Sequence, residues 1–197
     1  ITRKGKLCMA QYFYEEKNDI WVTTWNKLYN LSFLREFHIH FLEHVYHEDI
    51  VMHAMLALNT RSFTLTSQTT YLYNCKREDS ITNMEQGYTL KHLNDLTIVF
   101  SEIRRLIQAD NNLSKHLQKE INLYYLFEIY HRYLPAMYSN IKRVDLIKGL
   151  ARLSQNCLPP ILETRLTFKS IKRFLFLKLP FNIQYLIKSH KYKKSRV

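Results

Sequence analysis

Three glycines in 197 residues set the tightest limit on what this chain can fold into. Glycine reaches positive φ without a steric penalty. A chain that nearly lacks it builds few tight turns and few loops that cradle a phosphate on backbone N–H groups. No Gly-x-Gly-x-x-Gly and no Walker-type run occurs. The same chain holds 14 Tyr and 11 Phe, and 46% of it is hydrophobic, so it has the material for a core and global disorder is excluded. A complete nucleotide-binding domain is expected to carry more glycine than this.

Periodicity divides the chain. Asp19 to Trp25 is β-branched and aromatic, which suits a strand or an extended active-site segment. Lys27 to Phe37 reads as a short helix. From His47 to Leu58, the apolar Ile50, Val51, Ala54, Met55 and Leu58 recur as on an amphipathic helix. Ser62 to Leu72 alternates and reads as a strand ending in Tyr71-Leu72-Tyr73, before a polar loop from Asn74 to Ser80. From Met84 the pattern is helical only. One stripe runs through Leu90, Leu93, Phe100 and Ile107, with a break at Asp110-Asn111-Asn112. A second helix starts at Leu113 and is expected to stop near Pro135, and a third spans Ile141 to Leu153. Pro159-Pro160 marks a linker. The expected organisation is 1–83, mixed; 84–158, a helical extension; and 159–197, a basic amphipathic tail.

The net charge is +12, and most of it sits in that tail. Thr164 to Val197 contains no acidic residue, while Arg165, Lys169, Lys172, Arg173, Lys178, Lys188, Lys191, Lys193, Lys194 and Arg196 alternate with Leu, Ile and Phe. Two readings stand for it: an amphipathic anchor on an anionic membrane surface, or a solvated basic terminus. Nucleic acid is not the expected partner, because the charge is confined to one segment and no RNP-type or zinc-finger pattern accompanies it. No apolar run of about 18 residues predicts a transmembrane helix, and no apolar h-region predicts a signal peptide. Cys8, Cys75 and Cys157 are widely spaced and in no Cys-x-x-Cys pattern, which favours free thiols in a reducing compartment. The expected location is cytoplasmic, peripheral on the inner face of the cytoplasmic membrane.

The motifs that carry chemistry lie between residues 20 and 83. They are Trp25-Asn26-Lys27-Leu28-Tyr29, then Phe33-Leu34, then Phe41 to Ile50 with Glu48-Asp49 at a helix start, then Tyr71-x-Tyr73 and Ser80-Ile81-Thr82. In this order and spacing they resemble the C-terminal part of the catalytic domain of family-2 glycosyltransferases. The resemblance implies a partial GT-A domain, hence an α/β fold, followed by a mostly helical region. It also implies a sugar transfer, inverting at the anomeric carbon, from a nucleotide-sugar donor to a glycan or lipid-linked acceptor in bacterial surface polysaccharide or lipopolysaccharide synthesis. Forming a glycosidic bond requires an acceptor hydroxyl to lose its proton, and a carboxylate within reach acts as general base. In the family the aspartate of the Glu-Asp pair takes that role, which implies Asp49, with Glu48 contacting acceptor hydroxyls or orienting the site. The helix N-terminus is expected to keep both carboxylates ionised. Trp25, Asn26 and Lys27 would line the substrate floor. Lys76 and Arg77 would reach the donor diphosphate, although Cys75 and a longer loop leave open which of them does so.

The family also implies Mg or Mn held by an Asp-x-Asp. None occurs in this sequence, so the metal is expected for the full enzyme with its ligands mostly outside this chain. The chain is therefore expected to be a fragment lacking the donor-binding half, inactive alone. His38, His40, His44, His47 and His53 cluster near the pair, but the helical His-Glu-x-x-His arrangement is missing and no zinc site is expected. The rival reading is a basic helical protein that binds nucleic acid or a partner without catalysis.

Overall fold

The computed structural model describes residues 1–18, 20, 22–72, 74 and 88–194. Of the described residues 61% are helical, in eight helices, and there is one two-stranded sheet. That corrects the α/β expectation: among the described residues there is no layer of strands for helices to cover. The sheet is one antiparallel pair, β1 (Thr2–Lys4) against β2 (Ser62–Thr64), with Arg3 opposite Phe63.

Two expected strands shrink or vanish. Of Ser62 to Leu72 only β2 forms, and the described part of Asp19 to Trp25 is bends and turns. The residues there do have strand-like chemistry. A strand also needs a partner for its N–H and C=O groups, and apart from β1 none of the described residues supplies one.

The helices follow the sequence closely. α1 (Cys8–Ala10) continues into a widened turn, Gln11–Glu15. α2 (Leu31–Glu36) starts where the Asn30 side chain accepts the N–H groups of Ser32 and Phe33, at 2.9 and 3.2 Å. α3 (Glu48–Asn59) buries Ile50, Val51, Ala54 and Met55. α4 (Leu90–Ala109) opens on a reciprocal cap: the Thr89 hydroxyl accepts the His92 N–H, and His92 Nδ1 accepts the Thr89 N–H. α5 (Lys115–Met137) is capped by Ser114 and runs two residues past Pro135. α6 (Arg143–Asn156) packs on α4, where Gly149 faces Leu93.

After Pro159-Pro160 and a single 3-10 turn, Ile161–Glu163, come α7 (Phe168–Lys178) and α8 (Phe181–Lys194), separated at Pro180. The tail is thus two helices. α7 docks on α5 through Phe176 and Leu177. Gln184 of α8, fully buried, accepts the Tyr133 hydroxyl at 2.6 Å and donates to the Phe176 carbonyl at 2.8 Å.

One apolar core runs across the whole. It joins Ile50, Val51 and Leu56 of α3 to Leu93, Leu96 and Phe100 of α4 and to Leu126 and Ile129 of α5. The core therefore crosses position 83, where the mixed and helical parts of the sequence meet.

Candidate functional site

The Glu48-Asp49 pair forms the first turn of α3, as its spacing predicts. The turn before it is held open by backbone geometry: His44 and His47 both sit at positive φ, 58° and 66°, as does His38 at 49°. Histidine is among the few non-glycine residues enriched there. This accounts for three of the five clustered histidines without a metal. α4 pins the turn. Asp95, buried, accepts the Tyr46 N–H at 2.9 Å and the Lys91 ammonium at 2.5 Å, and Lys91 also donates to the His44 carbonyl at 2.8 Å. The rings of Tyr46 and His92 stack at 4.1 Å.

Asp49 is half-buried, and burial, with the Glu48 charge, raises its pKa. Arg132 and the N–H groups of Ile50 and Asp49 itself pull the other way and lose. Burial and the neighbouring Glu48 charge thus set the direction of the shift.

Two cations face the carboxylate. Lys27 is half-buried, its ammonium donates to Asn26 Oδ1 at 2.8 Å and to the Thr23 carbonyl, and burial lowers its pKa to about 8 against the pull of Asp49. Arg132 arrives from α5, donating to Glu128 Oε2 at 3.2 Å, with Nη1 3.5 Å from His47 Nδ1. Sequence reasoning placed Arg132 only as part of a helical stripe. The four-residue spacing from Glu128 was visible, but nothing local says which helix it faces.

Both nearby histidines are held neutral. Burial, Arg132 and His92 push His47 down to about 4, and burial with Lys27 pushes His53 down to about 3. Thr23 Oγ1, His47 Nε2, His53 Nε2 and Arg132 Nε are buried with no hydrogen-bond partner among the described residues. Buried polar atoms are nearly always paired with protein, water or ligand, so these four, two of them on or beside α3 and one on Arg132, are positions where water or a polar ligand would bond.

Phe13, Ile20, Val22, Thr23 and Tyr124 line an open groove of ≈ 560 Å³ beside them. Asp49 acts electrostatically on the Tyr124 hydroxyl, which ties groove to carboxylate. A comparable groove of ≈ 590 Å³ between α6 and the α7–α8 turn is lined by Leu150, Leu177, Pro180 and Phe181, and Lys178 is its one charged side chain. Neither groove has a carboxylate or imidazole in its lining; the first holds Tyr124, which lies within the field of Asp49, and it is the candidate site.

Structure thus brings together Glu48, Asp49, Asn26 and Lys27. Trp25, half-buried, packs against Tyr71 with ring centroids 4.4 Å apart and the planes tilted by 30°. Lys76 and Arg77 lie outside the described residues, as do Tyr73, Cys75 and Ser80 to Thr82. Among the described residues no three His, Cys, Asp or Glu side chains converge as a metal would need. No helix there is long and apolar enough to cross a membrane.

No family model matches the chain, nor does any curated protein or solved structure.

Proposed function

We propose that this chain supplies the acceptor side of a sugar-transfer centre. A hydroxyl of a glycan or lipid-linked acceptor enters beside α3, and Asp49 takes its proton as that oxygen attacks the anomeric carbon of a nucleotide-sugar bound by a further part of the enzyme. The α/β fold no longer argues for this reading. The observation that carries it is a half-buried carboxylate with a raised pKa, coupled electrostatically to Arg132 and Lys27, with unpartnered polar atoms on His47, His53 and Arg132. Such a carboxylate is a stronger base than a solvated one, and the orphaned atoms suit a polyhydroxylated ligand. Lys27 and Arg132 keep enough Asp49 ionised to work and offer cationic groups to the departing diphosphate.

The test uses the enzyme complete with its donor-binding part, reading nucleoside diphosphate release from a panel of nucleotide-sugars. Asp49→Asn is expected to lower turnover by about 10²–10⁴-fold with donor binding unchanged. Turnover within twofold of the parent would remove Asp49 from the chemistry. The pH–rate profile is expected to be bell-shaped. Its acid limb is set by Asp49 and moves to higher pH in Arg132→Gln, because that cation lowers the Asp49 pKa. Its basic limb falls near 8, where Lys27 loses its proton, and moves beyond that in Lys27→Arg.

A further inference from the structure

Residues 168–187 carry an apolar stripe that the fold does not cover. On α7, Phe168, Ile171 and Leu175 follow at steps of three and four residues, so they lie along one face; Leu179 follows just past the helix end, and all four are exposed, Phe168 by 83% and Leu175 by 58%. The opposite face, Ser170, Phe176 and Leu177, is the one buried against the rest of the protein. On α8, Ile183 and Ile187 are exposed in the same i, i+4 relation, while Gln184 is buried. These helices are not loose ends. Besides the Gln184 bonds, Lys188 donates to the Tyr130 hydroxyl at 2.6 Å and the Arg173 guanidinium lies 3.8 Å from the Phe127 ring centre. The stripe is therefore presented on a fixed surface.

Exposed cations share the helix: Lys172 and Lys178 lie at the edges of the stripe and Lys169 in the first turn, within a segment that has no acidic residue from Thr164 to the end. We infer that the outer face of α7 and α8 docks on an anionic lipid surface, with Phe168, Ile171, Leu175 and Leu179 entering the headgroup boundary and the flanking lysines reaching lipid phosphates. Two facts select this occupant. A second copy laid on the same face would set Lys169, Lys172 and Lys178 against their own counterparts, which like charge opposes. A nucleic acid would meet the lysines but leave Ile171, Leu175 and Leu179 in water, since bases stack on aromatic rings and not on aliphatic side chains. An interface that is both apolar and negatively charged satisfies both sets. The surface is independent of the Asp49 site, and its failure would leave that reading as it stands.

The test is flotation of the 197-residue chain with vesicles of phosphatidylcholine alone or mixed with phosphatidylglycerol, at low and high salt. Binding is expected to the mixed vesicles, to weaken with salt, and to be far weaker on phosphatidylcholine. Phe168→Ser with Leu175→Ser is expected to lower the partition coefficient by about tenfold or more. Lys169→Glu with Lys172→Glu is expected to remove the preference for phosphatidylglycerol. All four positions are exposed, so thermal melts are expected to match the parent. Equal binding to both vesicle types, or no effect of the serine pair, would overturn the inference. So would polyuridine binding that displaces the vesicles and ignores the serine pair, or a concentration-dependent dimer that the serine pair abolishes while vesicle binding is absent.

Discussion

Asp49 and His53 lie one turn apart on α3 and are both held in their uncharged direction by burial. The consequences for stability have opposite signs. Asp49 has a raised pKa, so the stability tied to its protonated form is present at low pH and lost as pH rises through the folded value. At pH 7 its charge is a cost that Asn would not carry. Asp49→Asn is expected to raise the melting temperature at pH 7, with the gain closing as pH falls below the carboxylate range. A variant that loses turnover and gains stability would mark a group retained for chemistry. His53 is the reverse. Its pKa falls from 6.5 to about 3, so stability is whole above pH 6.5 and drains as pH drops toward 3, by about 1.4 kcal/mol per pH unit. His47, depressed to about 4, adds to the loss in the same window. Urea titrations at pH 7, 6 and 5 are expected to show that slope, shallower in His53→Gln. The pair Glu48-Asp49 was legible as a helix start. The burial that sets the pKa of Asp49 was not, because it comes from α5 and the 20s segment folding over it.

α4 and α6 meet at Gly149, where the absence of a side chain decides the packing. A Cβ there would lie 2.5 Å from Leu93 Cδ2 and 3.0 Å from its Cγ, and Leu93 is fully buried. Gly149→Leu would gain about 1 kcal/mol of helix propensity. Against that stands overpacking of a closed interface, about 1–3 kcal/mol and more for a large side chain. Net destabilisation of about 2 kcal/mol in chemical unfolding is the expected result, and a more stable variant would show that the two helices can part without cost. The helices themselves were readable: α3, α4, α5 and α6 lie within a few residues of their apolar stripes, because each stripe is a local pattern. The strands were not. Asp19 to Trp25 and Ser62 to Leu72 have β-branched and aromatic residues, but propensity names a surface that fits a sheet and supplies no neighbour to pair with.

Across the molecule, one buried carboxylate ties three distant segments. Glu120 on α5 accepts Lys17 at 2.5 Å and Arg165 at 3.0 Å, joining the chain after the widened turn to the start of the tail. Burial alone would raise its pKa; the two cations win and lower it. Glu120→Gln is expected to cost about 1.5–3 kcal/mol at pH 7 by thermal or urea unfolding, with the difference shrinking as acid protonates the parent. What the sequence determined by itself is local: which stretches are helical, that Glu48 and Asp49 open a helix, and that the final segment is basic and apolar at once. Tertiary structure alone decided that the chain is mostly helical, that Arg132 and Lys27 stand beside Asp49, and which face of α7 is left in solvent. The reason is physical. Caps and stripes are set by residues three and four apart, whereas pairing, burial and the charge felt by a carboxylate depend on groups dozens of residues away, brought near only when the core closes.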